Sequence, residues 1–183
     1  MSERLVRDVM LPLSDYAVVS REATLLEALE ALDLAQAKLP PDKMPHRAVL
    51  VKDESGKIVG KLGHLAFLKA ILPHSRDLGN LEKLAFAGVS EGMIEAVMES
   101  LRLLQDDFST ICHRAQTIKV KDAMKQVEES VDENATLVEA INRIVMHQTL
   151  SILVKRGGEV VGILRLSDLF TVVKELIRSD ICN

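Results

Sequence analysis

Two segments of this chain begin with the same pattern of polar and apolar positions. Thr24 and Thr136 are each followed three residues later by a glutamate, Glu27 or Glu139, and then by apolar residues at helical spacing. In a capping box the threonine hydroxyl accepts from the amide at position N3, and the glutamate accepts from the threonine amide. The pattern therefore predicts a helix that starts after each threonine.

Short runs of β-branched and apolar residues follow both predicted helices. Residues 48–51 and 151–154 predict strands, and glycine-containing sequences at 53–56 and 156–158 predict turns into a further strand. Because strand residues flank the second of these turns on both sides, its two glycines are interpreted as a hairpin and not as a phosphate-binding loop.

The pattern returns to helical spacing after the last strand of each half. This change follows Gly60 in the first half and Gly162 in the second, where Ser167 or Asp168 is a candidate cap for the final helix. Each half therefore reads as β–α–β–β–α, which predicts an α/β (α+β) fold.

The two halves are also similar residue by residue. Four blocks recur in the same order: 6–10 as 120–124, 23–29 as 135–141, 48–52 as 151–155, and 57–62 as 159–164. One copy of roughly 55–60 residues is marginal as a separate domain, so we expect two copies to pack with pseudo-twofold symmetry around a shared core.

The first copy carries an insertion. Thr24 and Val51 are 27 positions apart, whereas Thr136 and Val154 are 18 apart, so the first copy is nine residues longer. The prolines that fall in this extra length predict a loop, because each removes a backbone donor and fixes φ: Pro40, Pro41 and Pro45.

Composition narrows the possible functions. A net charge of −4 is not that of a dedicated nucleic-acid binder, and no apolar run reaches the roughly 20 residues of a membrane helix. The charged N-terminus lacks the apolar run of a signal peptide. Cys112 and Cys182 fit neither a metal site nor a disulfide framework, so we expect a cytoplasmic protein with reduced thiols.

Residues 73–117 lie between the copies and contain a helical signal of their own. Ser90 is a candidate cap, residues 106–112 predict a second short helix, and an apolar stripe runs through Met93, Ile94, Val97, Met98, Leu101 and Leu104. Three alternatives remain open: the stripe packs on the two copies, forms a dimer interface, or docks another protein.

Taken together and in order, these blocks resemble a tandem pair of CBS domains, also called a Bateman module. The resemblance covers 1–72 and 118–180 and leaves 73–117 as a helical insert. It rests on a segment ending in Met10 or Met124, a Thr-Leu-x-Glu-Ala helix start, and a closing Gly-hydrophobic-hydrophobic-Thr/Ser-x-x-Asp element. It implies a stand-alone regulatory protein that forms a homodimer and signals to a partner protein.

The resemblance further implies a ligand that contains adenosine, which is AMP, ADP, ATP or S-adenosylmethionine, and no metal. The closing element supplies Ile163, Arg165, Ser167 and Asp168. The two Asp168 oxygens suit the cis hydroxyls of a ribose, although a plain N-cap is the alternative. Arg165 replaces the usual Thr or Ser, and it contacts phosphate, fills the pocket or is solvated.

The resemblance places adenine between the segment from Val127 to Ser130 and the residues Thr149 and Leu150. His147 falls where related modules have a basic pair near phosphate, but Gln148 takes the second position. A histidine at a helix end is also a common partner of the helix dipole, and we favour that interpretation.

The first copy lacks the polar residues of the closing element. Gly63 stands at its Thr position and Ala66 at its Asp position, and a methyl group cannot accept from a ribose. We therefore predict one nucleotide site per chain, in the second copy. The basic residues near the corresponding strand of the first copy are interpreted as a solvated loop: Lys43, His46 and Arg47.

No catalytic motif is present in the sequence. A nucleophile elbow, a His-Glu-x-x-His zinc motif, a Walker loop and a dinucleotide fingerprint are all missing, so we do not expect an enzyme. The leading hypothesis is a sensor of an adenosine ligand. The alternative is a structural or interaction module with vestigial sites that works through the helical insert.

Overall fold

The computed structural model describes residues 4–40, 43–72, 90–100, 108–127 and 129–179. We call the residues up to 72 the first repeat, 73–117 the insert and those from 118 the second repeat. The first repeat contains two 3-10 turns, Val6–Asp8 and Leu13–Asp15. Its other elements are β1 (Leu11–Pro12), β2 (Val18–Ser20), α1 (Leu25–Ala37), β3 (Ala48–Lys52), β4 (Ile58–Gly63) and α2 (His64–Ile71).

The insert contributes two described helices, and the second repeat reproduces the order of the first. The insert helices are α3 (Glu91–Ser100) and α4 (Phe108–Thr117). The second repeat consists of α5 (Val120–Ala123), β5 (Lys125–Gln126), β6 (Ser130–Asp132), α6 (Leu137–Met146), β7 (Ser151–Arg156), β8 (Glu159–Arg165) and α7 (Leu166–Arg178).

The strands form two four-stranded sheets, each completed by a strand from the other repeat. The order is β2-β3-β4-β5 in one sheet and β1-β8-β7-β6 in the other. In each sheet one pair is parallel, β2 with β3 and β6 with β7, and the other pairs are antiparallel. The α+β class and the pseudo-twofold arrangement of two repeats are confirmed.

The exchange of strands places one residue of each repeat in the core of the other. Val6 is fully buried in the core of the second repeat, and Val120 is fully buried in that of the first. Equivalent backbone bonds hold both segments: Val6 N donates to Ala135 O at 2.9 Å, and Val120 N donates to Ala23 O at 2.8 Å. Neither repeat is therefore complete without the other.

Two glycines allow the exchanged strands to approach. A Cβ atom on Gly60 would lie 2.8 Å from Lys125 O and 2.8 Å from the Sδ of Met124, and one on Gly162 would overlap Leu11 O. Both positions are β-strand residues in which the missing side chain, and not an unusual φ, is what the fold requires.

A third apolar cluster joins the two sheets across the pseudo-twofold axis. Its buried members are Tyr16, Leu50, Ile58, Leu153 and Ile163. They come from both repeats in nearly equal numbers, so this cluster is the shared core that the sequence repeat predicts. It also supports the junctions at the ends of β4 and β8, where the candidate site lies.

One of the two predicted capping boxes forms only in part. Glu27 N donates to Thr24 Oγ1 at 3.1 Å and Thr24 N donates to Glu27 Oε2 at 2.6 Å, which completes the first box. In the second, Glu139 N donates to Thr136 Oγ1, but the Glu139 carboxylate instead accepts from Arg143 at 3.0 Å. The arginine one turn later competes successfully for that carboxylate.

The last helix begins two residues earlier than a cap at Ser167 predicts and three residues earlier than a cap at Asp168 predicts. Its N-cap is Arg165, whose side chain makes no capping bond, and its first residue is Leu166. The prediction that Ser167 or Asp168 caps this helix is therefore wrong. Asp168 lies within the first turn, which leaves its carboxylate free to bond elsewhere.

The C-terminal part of the insert packs on the first repeat. The predicted helix over 106–112 is the longer helix α4, in which Ile111 and Ala115 lie against the first repeat's core. Arg114 Nη2 donates to the carbonyl of Ala70 at the end of α2 at 2.9 Å. This packing concerns α4 and leaves the three alternatives for the apolar stripe open.

The apolar stripe of the insert is described only in part. Met93 on α3 is 63% exposed, and the amides of Met93 and Ile94 donate to the carbonyl of Ser90. The remaining stripe positions lie outside the described side chains: Val97, Met98, Leu101 and Leu104.

Candidate functional site

The end of β8 and the first turn of α7 carry a pair of opposite charges. Arg165 is the last residue of β8, and Asp168 follows it by three residues, so the two side chains lie on the same side of the turn. Arg165 Nε donates to Asp168 Oδ2 at 2.5 Å, and Nη2 donates to Oδ1 at 2.6 Å. This bidentate pair uses both oxygens of the carboxylate.

The remaining face of the Arg165 guanidinium contacts the first repeat. Nη1 donates to the carbonyl of Met44 at 2.8 Å and lies 3.3 Å from His46 Nδ1. The Arg165 side chain is 5% exposed and that of Asp168 is 12% exposed. The alternative of a solvated Arg165 is therefore wrong, because the side chain connects the second repeat to the loop before β3.

His46 is the third side chain of this group. The sequence predicts a solvated loop at 43–47, yet His46 is only 2% exposed, whereas Lys43 and Arg47 are exposed. The His46 ring packs edge-on against Tyr16, with 4.5 Å between ring centroids. The predicted solvated position of His46 is wrong because the proline-rich loop folds over the junction of the two repeats.

Burial determines the protonation state of the His46 and Tyr16 side chains. Desolvation, and then the positive charge of Arg165, lower the pKa of His46 below its usual value, although the backbone of Asp15 opposes this. Burial raises the pKa of Tyr16 to about 12. Both rings are therefore neutral near pH 7, and His46 Nδ1 is able to accept from Arg165.

The opposite junction, between β4 and α2, holds a different cation. Lys61 on β4 reaches across to the second repeat, where its Nζ donates to Thr149 Oγ1 at 3.0 Å, Ser151 O at 3.0 Å and Ser151 Oγ at 3.2 Å. Desolvation, followed by the nearby charge of Lys125, lowers the pKa of Lys61. Gly63 and Ala66 follow in the chain where the other junction has Arg165 and Asp168.

The residues predicted to surround adenine have separate partners in this structure. Thr149 Oγ1 accepts from Lys61 Nζ. The amide of Val127 donates to Val59 O at 3.4 Å beside the shared core. Leu150 is 66% exposed. His147 is the C-cap of α6, and its Nε2 lies 3.1 Å from a carboxylate oxygen of Glu129.

The other two predicted residues lie beside the charge pair. Ile163 is 1% exposed in the shared core, and Ser167 is half-buried, with its carbonyl accepting from Thr171 Oγ1 at 3.0 Å. The structure thus groups Ile163, Arg165, Ser167 and Asp168 at one junction. Of the predicted adenine residues, Thr149 contacts Lys61 of the other junction, whereas the carbonyl of Leu150 accepts from Leu166 N at 2.9 Å, beside the charge pair.

Two residues of the junction, Tyr16 and Met44, are not indicated by the sequence, and His46 was predicted in a solvated loop. Met44 contributes only a backbone carbonyl, for which the sequence contains no signal. The one available indication was the insertion itself, because a loop with fixed prolines directly before a buried strand is placed to cover what lies beside that strand.

Two surface concavities lie away from the charge pair of Arg165 and Asp168. One of about 310 Å³ is apolar and lies between α1 and α2, with Leu29, Leu32, Phe67 and Leu68 in its lining. The other, of about 580 Å³, is lined by polar residues around β6 and the start of α6. Within the described ranges no group of three metal-binding side chains occurs, and no helix there could span a membrane.

Comparison with known proteins gives a family match over part of the chain and a shared fold. Residues 120–175 match the family model of the CBS domain. A CBS domain-containing protein from Bacillus anthracis is 18% identical, with 94% of each chain covered and a TM-score of 0.63. The CBS domain of a membrane protein from Sphaerobacter thermophilus is 16% identical, covering 92% of this chain and 87% of that one, with a TM-score of 0.60.

A third solved structure contains a ligand. It is CBSX2 in complex with AMP, at 16% identity, with 94% of this chain and 97% of that chain covered and a TM-score of 0.59; CBSX2 is a CBS-pair protein of Arabidopsis thaliana. At these identities the structures show the fold. Residues 120–175 match the CBS-domain family model, and the whole chain shares the fold of these CBS-domain structures.

Proposed function

We propose that this chain is a regulatory module that binds an adenosine-containing nucleotide at the junction of β8 and α7 and passes the bound state to a partner. The observation that carries this proposal is the position of Asp168. Its carboxylate lies in the first turn of α7, where the helix dipole favours an anion, at a junction between the two repeats. Two carboxylate oxygens match the two cis hydroxyls of a ribose.

Two further observations support one nucleotide site per chain. CBS domains are regulatory ligand-sensing modules, and a protein with a similar fold was solved in complex with AMP. In the first repeat, Ala66 takes the place of the acidic residue, so that junction lacks an acceptor for the diol. We therefore assign nucleotide binding to the second repeat alone.

The experiment that tests this assignment compares two nucleotides on two proteins. Titration calorimetry would measure AMP and 2′-deoxy-AMP binding to the unaltered chain and to Asp168→Ala. We expect the unaltered chain to prefer AMP by about 1–3 kcal/mol, the contribution of a hydrogen bond to a charged group. In Asp168→Ala this preference should disappear, because no carboxylate remains to distinguish the sugars.

A matched control is available on α1. Asp33 is exposed, so Asp33→Ala removes one negative charge without touching the junction and should keep the preference for AMP. Equal affinity of the unaltered chain for the two nucleotides, or an unchanged preference in Asp168→Ala, would remove Asp168 from the site. Failure of AMP, ADP, ATP and S-adenosylmethionine to bind at all would end the nucleotide proposal.

The second candidate is a structural or interaction module, and exposed apolar helix faces favour it. Leu68 on α2 is 53% exposed beside the apolar concavity, and its equivalent on α7, Phe170, is 65% exposed. Because the pseudo-twofold axis places similar faces on both repeats, a second copy of the chain could cover both at once. We propose that these faces form a homodimer.

Light scattering behind a sizing column tests the dimer. Phe170→Glu places a charge on the proposed interface and should give the monomer mass of about 20 kDa at concentrations where the unaltered chain is a dimer. Lys57→Glu, in the exposed turn before β4, serves as the control for added negative charge away from α2 and α7. A monomeric unaltered chain, or a Phe170→Glu dimer, would contradict this interface.

A further inference from the structure

We propose that Arg165 makes the second-repeat site selective for anionic nucleotides against neutral or cationic adenosine compounds. This inference rests on the proposed nucleotide site and adds the ligand class that the site accepts. Its basis is that the carboxylate which would receive the ribose is already occupied by a buried guanidinium.

The first step concerns the carboxylate. Arg165 Nε and Nη2 donate to the two different oxygens of Asp168, at 2.5 and 2.6 Å. A ribose diol that binds bidentately needs these same two oxygens, and the guanidinium occupies the side of the carboxylate on which one group can contact both of them. Binding of a diol at Asp168 therefore requires the guanidinium to move away from it.

The second step concerns the displaced cation. Arg165 is 4% exposed, and its remaining contacts are the carbonyl of Met44 and the ring nitrogen of His46, neither of which carries negative charge. Among the described side chains that bond to Arg165, Asp168 alone is acidic. A guanidinium released inside this junction would thus be a buried charge without a counter-ion, which is strongly unfavourable.

The third step concerns what a ligand must bring. A nucleotide with a 5′-phosphate offers a diol for Asp168 and, on the same molecule, an anion that matches the planar fork of Arg165. Adenosine offers the diol alone. S-adenosylmethionine places a sulfonium cation at the 5′ position, and its one anion, a carboxylate, lies at the far end of the methionine chain beside an ammonium group. Inorganic phosphate offers the anion alone and leaves Asp168 without a partner. A nucleotide 5′-phosphate is the ligand in this set that re-pairs both charges.

The surroundings of Arg165 do not provide another solution. Tyr16 and His46 are both held neutral by burial. The Asp15 carboxylate, whose charge acts on His46, is exposed and accepts from Ser14 Oγ at 2.9 Å. The second cation at the repeat interface, Lys61, lies at the other junction with oxygens of Thr149 and Ser151 as its partners. The exchange of Asp168 for phosphate is therefore the route by which Arg165 can keep a full counter-charge.

Titration calorimetry on the unaltered chain tests the inference directly. AMP, adenosine, S-adenosylmethionine and inorganic phosphate would be compared at one salt concentration. We expect AMP to bind at least about 30-fold more tightly than each of the other three, because each of those leaves one buried charge unpaired. ADP should bind at least as tightly as AMP.

Substitution of the arginine sharpens this test. In Arg165→Thr the guanidinium no longer covers the carboxylate, and the hydroxyl that is usual in the family motif offers phosphate at most one hydrogen bond, so the AMP-to-adenosine ratio should fall to about tenfold or less. The control is Arg143→Thr, which removes an exposed arginine from a surface pair with Glu139 and should leave the ratio unchanged. If Arg165→Thr does not fold, the ligand series on the unaltered chain still decides.

The outcomes separate this inference from the proposed function. Adenosine binding within about threefold of AMP to the unaltered chain would overturn the role of Arg165 while leaving a nucleotide site in place. An AMP-to-adenosine ratio that stays above about 30-fold in folded Arg165→Thr would also overturn it. Absence of binding by every adenosine compound would overturn the proposed function, and this inference with it.

Discussion

The β4–α2 junction and the β8–α7 junction have the same backbone conformation but different side chains. At the start of α2, Gly63 is the N-cap with φ −88° and ψ 166°, and at the start of α7, Arg165 is the N-cap with φ −94° and ψ 143°. Three residues later the first junction has Ala66 and the second has Asp168. The backbone conformation is thus a property of the repeat, whereas the side chains that could contact a ligand are not.

The same contrast appears across the pseudo-twofold axis. His46 and Thr149 occupy equivalent places before β3 and β7, and each contacts a cation from the other repeat, Arg165 or Lys61. Arg165 has a carboxylate partner, while the Lys61 ammonium donates to hydroxyl and carbonyl oxygens. Duplication has therefore preserved the packing and allowed the polar contacts of the two junctions to diverge.

The largest loss of stability that we expect comes from substitution of the glycines beside the exchanged strands. Gly162→Ala should destabilise the chain by about 2–3 kcal/mol, because the new methyl group overlaps the backbone oxygen of Leu11, which cannot rotate away. Gly60→Ala should cost somewhat less, since one of its two close contacts is the flexible end of Met124. Urea unfolding monitored by circular dichroism measures both.

Gly92 provides the control for these substitutions. A Cβ atom there has no neighbour within 4 Å and α3 is helical around it, so Gly92→Ala should be neutral or slightly stabilising. Equal stability of Gly162→Ala and the unaltered chain would show that β1 is not held against β8 in solution.

A smaller effect on stability should come from pH, and it should arise at the β8–α7 junction. Because the pKa of His46 is lowered in the folded protein, the unfolded chain binds a proton more readily, and stability should decrease as pH falls below about 6.5, the unperturbed value. Protonation would place a second positive charge beside Arg165, with the charges of Asp168 and Asp15 nearby and Tyr16 neutral. The stabilisation is present above that pH and is lost as pH falls through the folded pKa.

Urea unfolding at pH 7.5 and pH 5.5 measures this difference. His46→Gln should lower stability at pH 7.5, through loss of the ring contact with Tyr16, and should reduce the dependence on pH. His64→Gln, at an exposed residue at the start of α2, is the control and should keep the dependence of the unaltered chain. An identical pH dependence in His46→Gln would show that another group is responsible.

Much of the fold follows from local sequence, and the charge pair at the junction follows from it only in part. The repeat and the helix starts at Thr24 and Thr136 depend on residues within one turn of each other, so they were predictable. The bond from Arg165 to Met44 joins residues 121 positions apart, and the burial of His46 depends on how a long loop folds. Neither leaves a periodic signal in the sequence.

The exchange of strands was not predicted for the same reason. The recurrence of 6–10 as 120–124 showed that the two segments are equivalent, but equivalence is compatible with each segment packing on its own repeat or on the other. The choice depends on glycines at Gly60 and Gly162 that admit a backbone from the opposite repeat. Such a choice is made by tertiary packing and not by propensity.

The smallest effect that we predict compares the two capping threonines. Thr24→Ala removes the hydroxyl that accepts from Glu27 N and weakens the reciprocal bond, so it should cost about 1–2 kcal/mol. Thr136→Ala should cost about 1 kcal/mol, because Glu139 makes no return bond there and keeps its pair with Arg143.

A double substitution isolates the return bond in each repeat. If the first box is reciprocal, the costs of Thr24→Ala and Glu27→Ala should add to more than the cost of both together, since each single change already breaks the shared arrangement. For Thr136 and Glu139 the two costs should add simply. Simple additivity at both sites would contradict the difference between the caps, whereas coupling confined to Thr24 and Glu27 shows that Arg143 alone separates two otherwise equivalent helix starts.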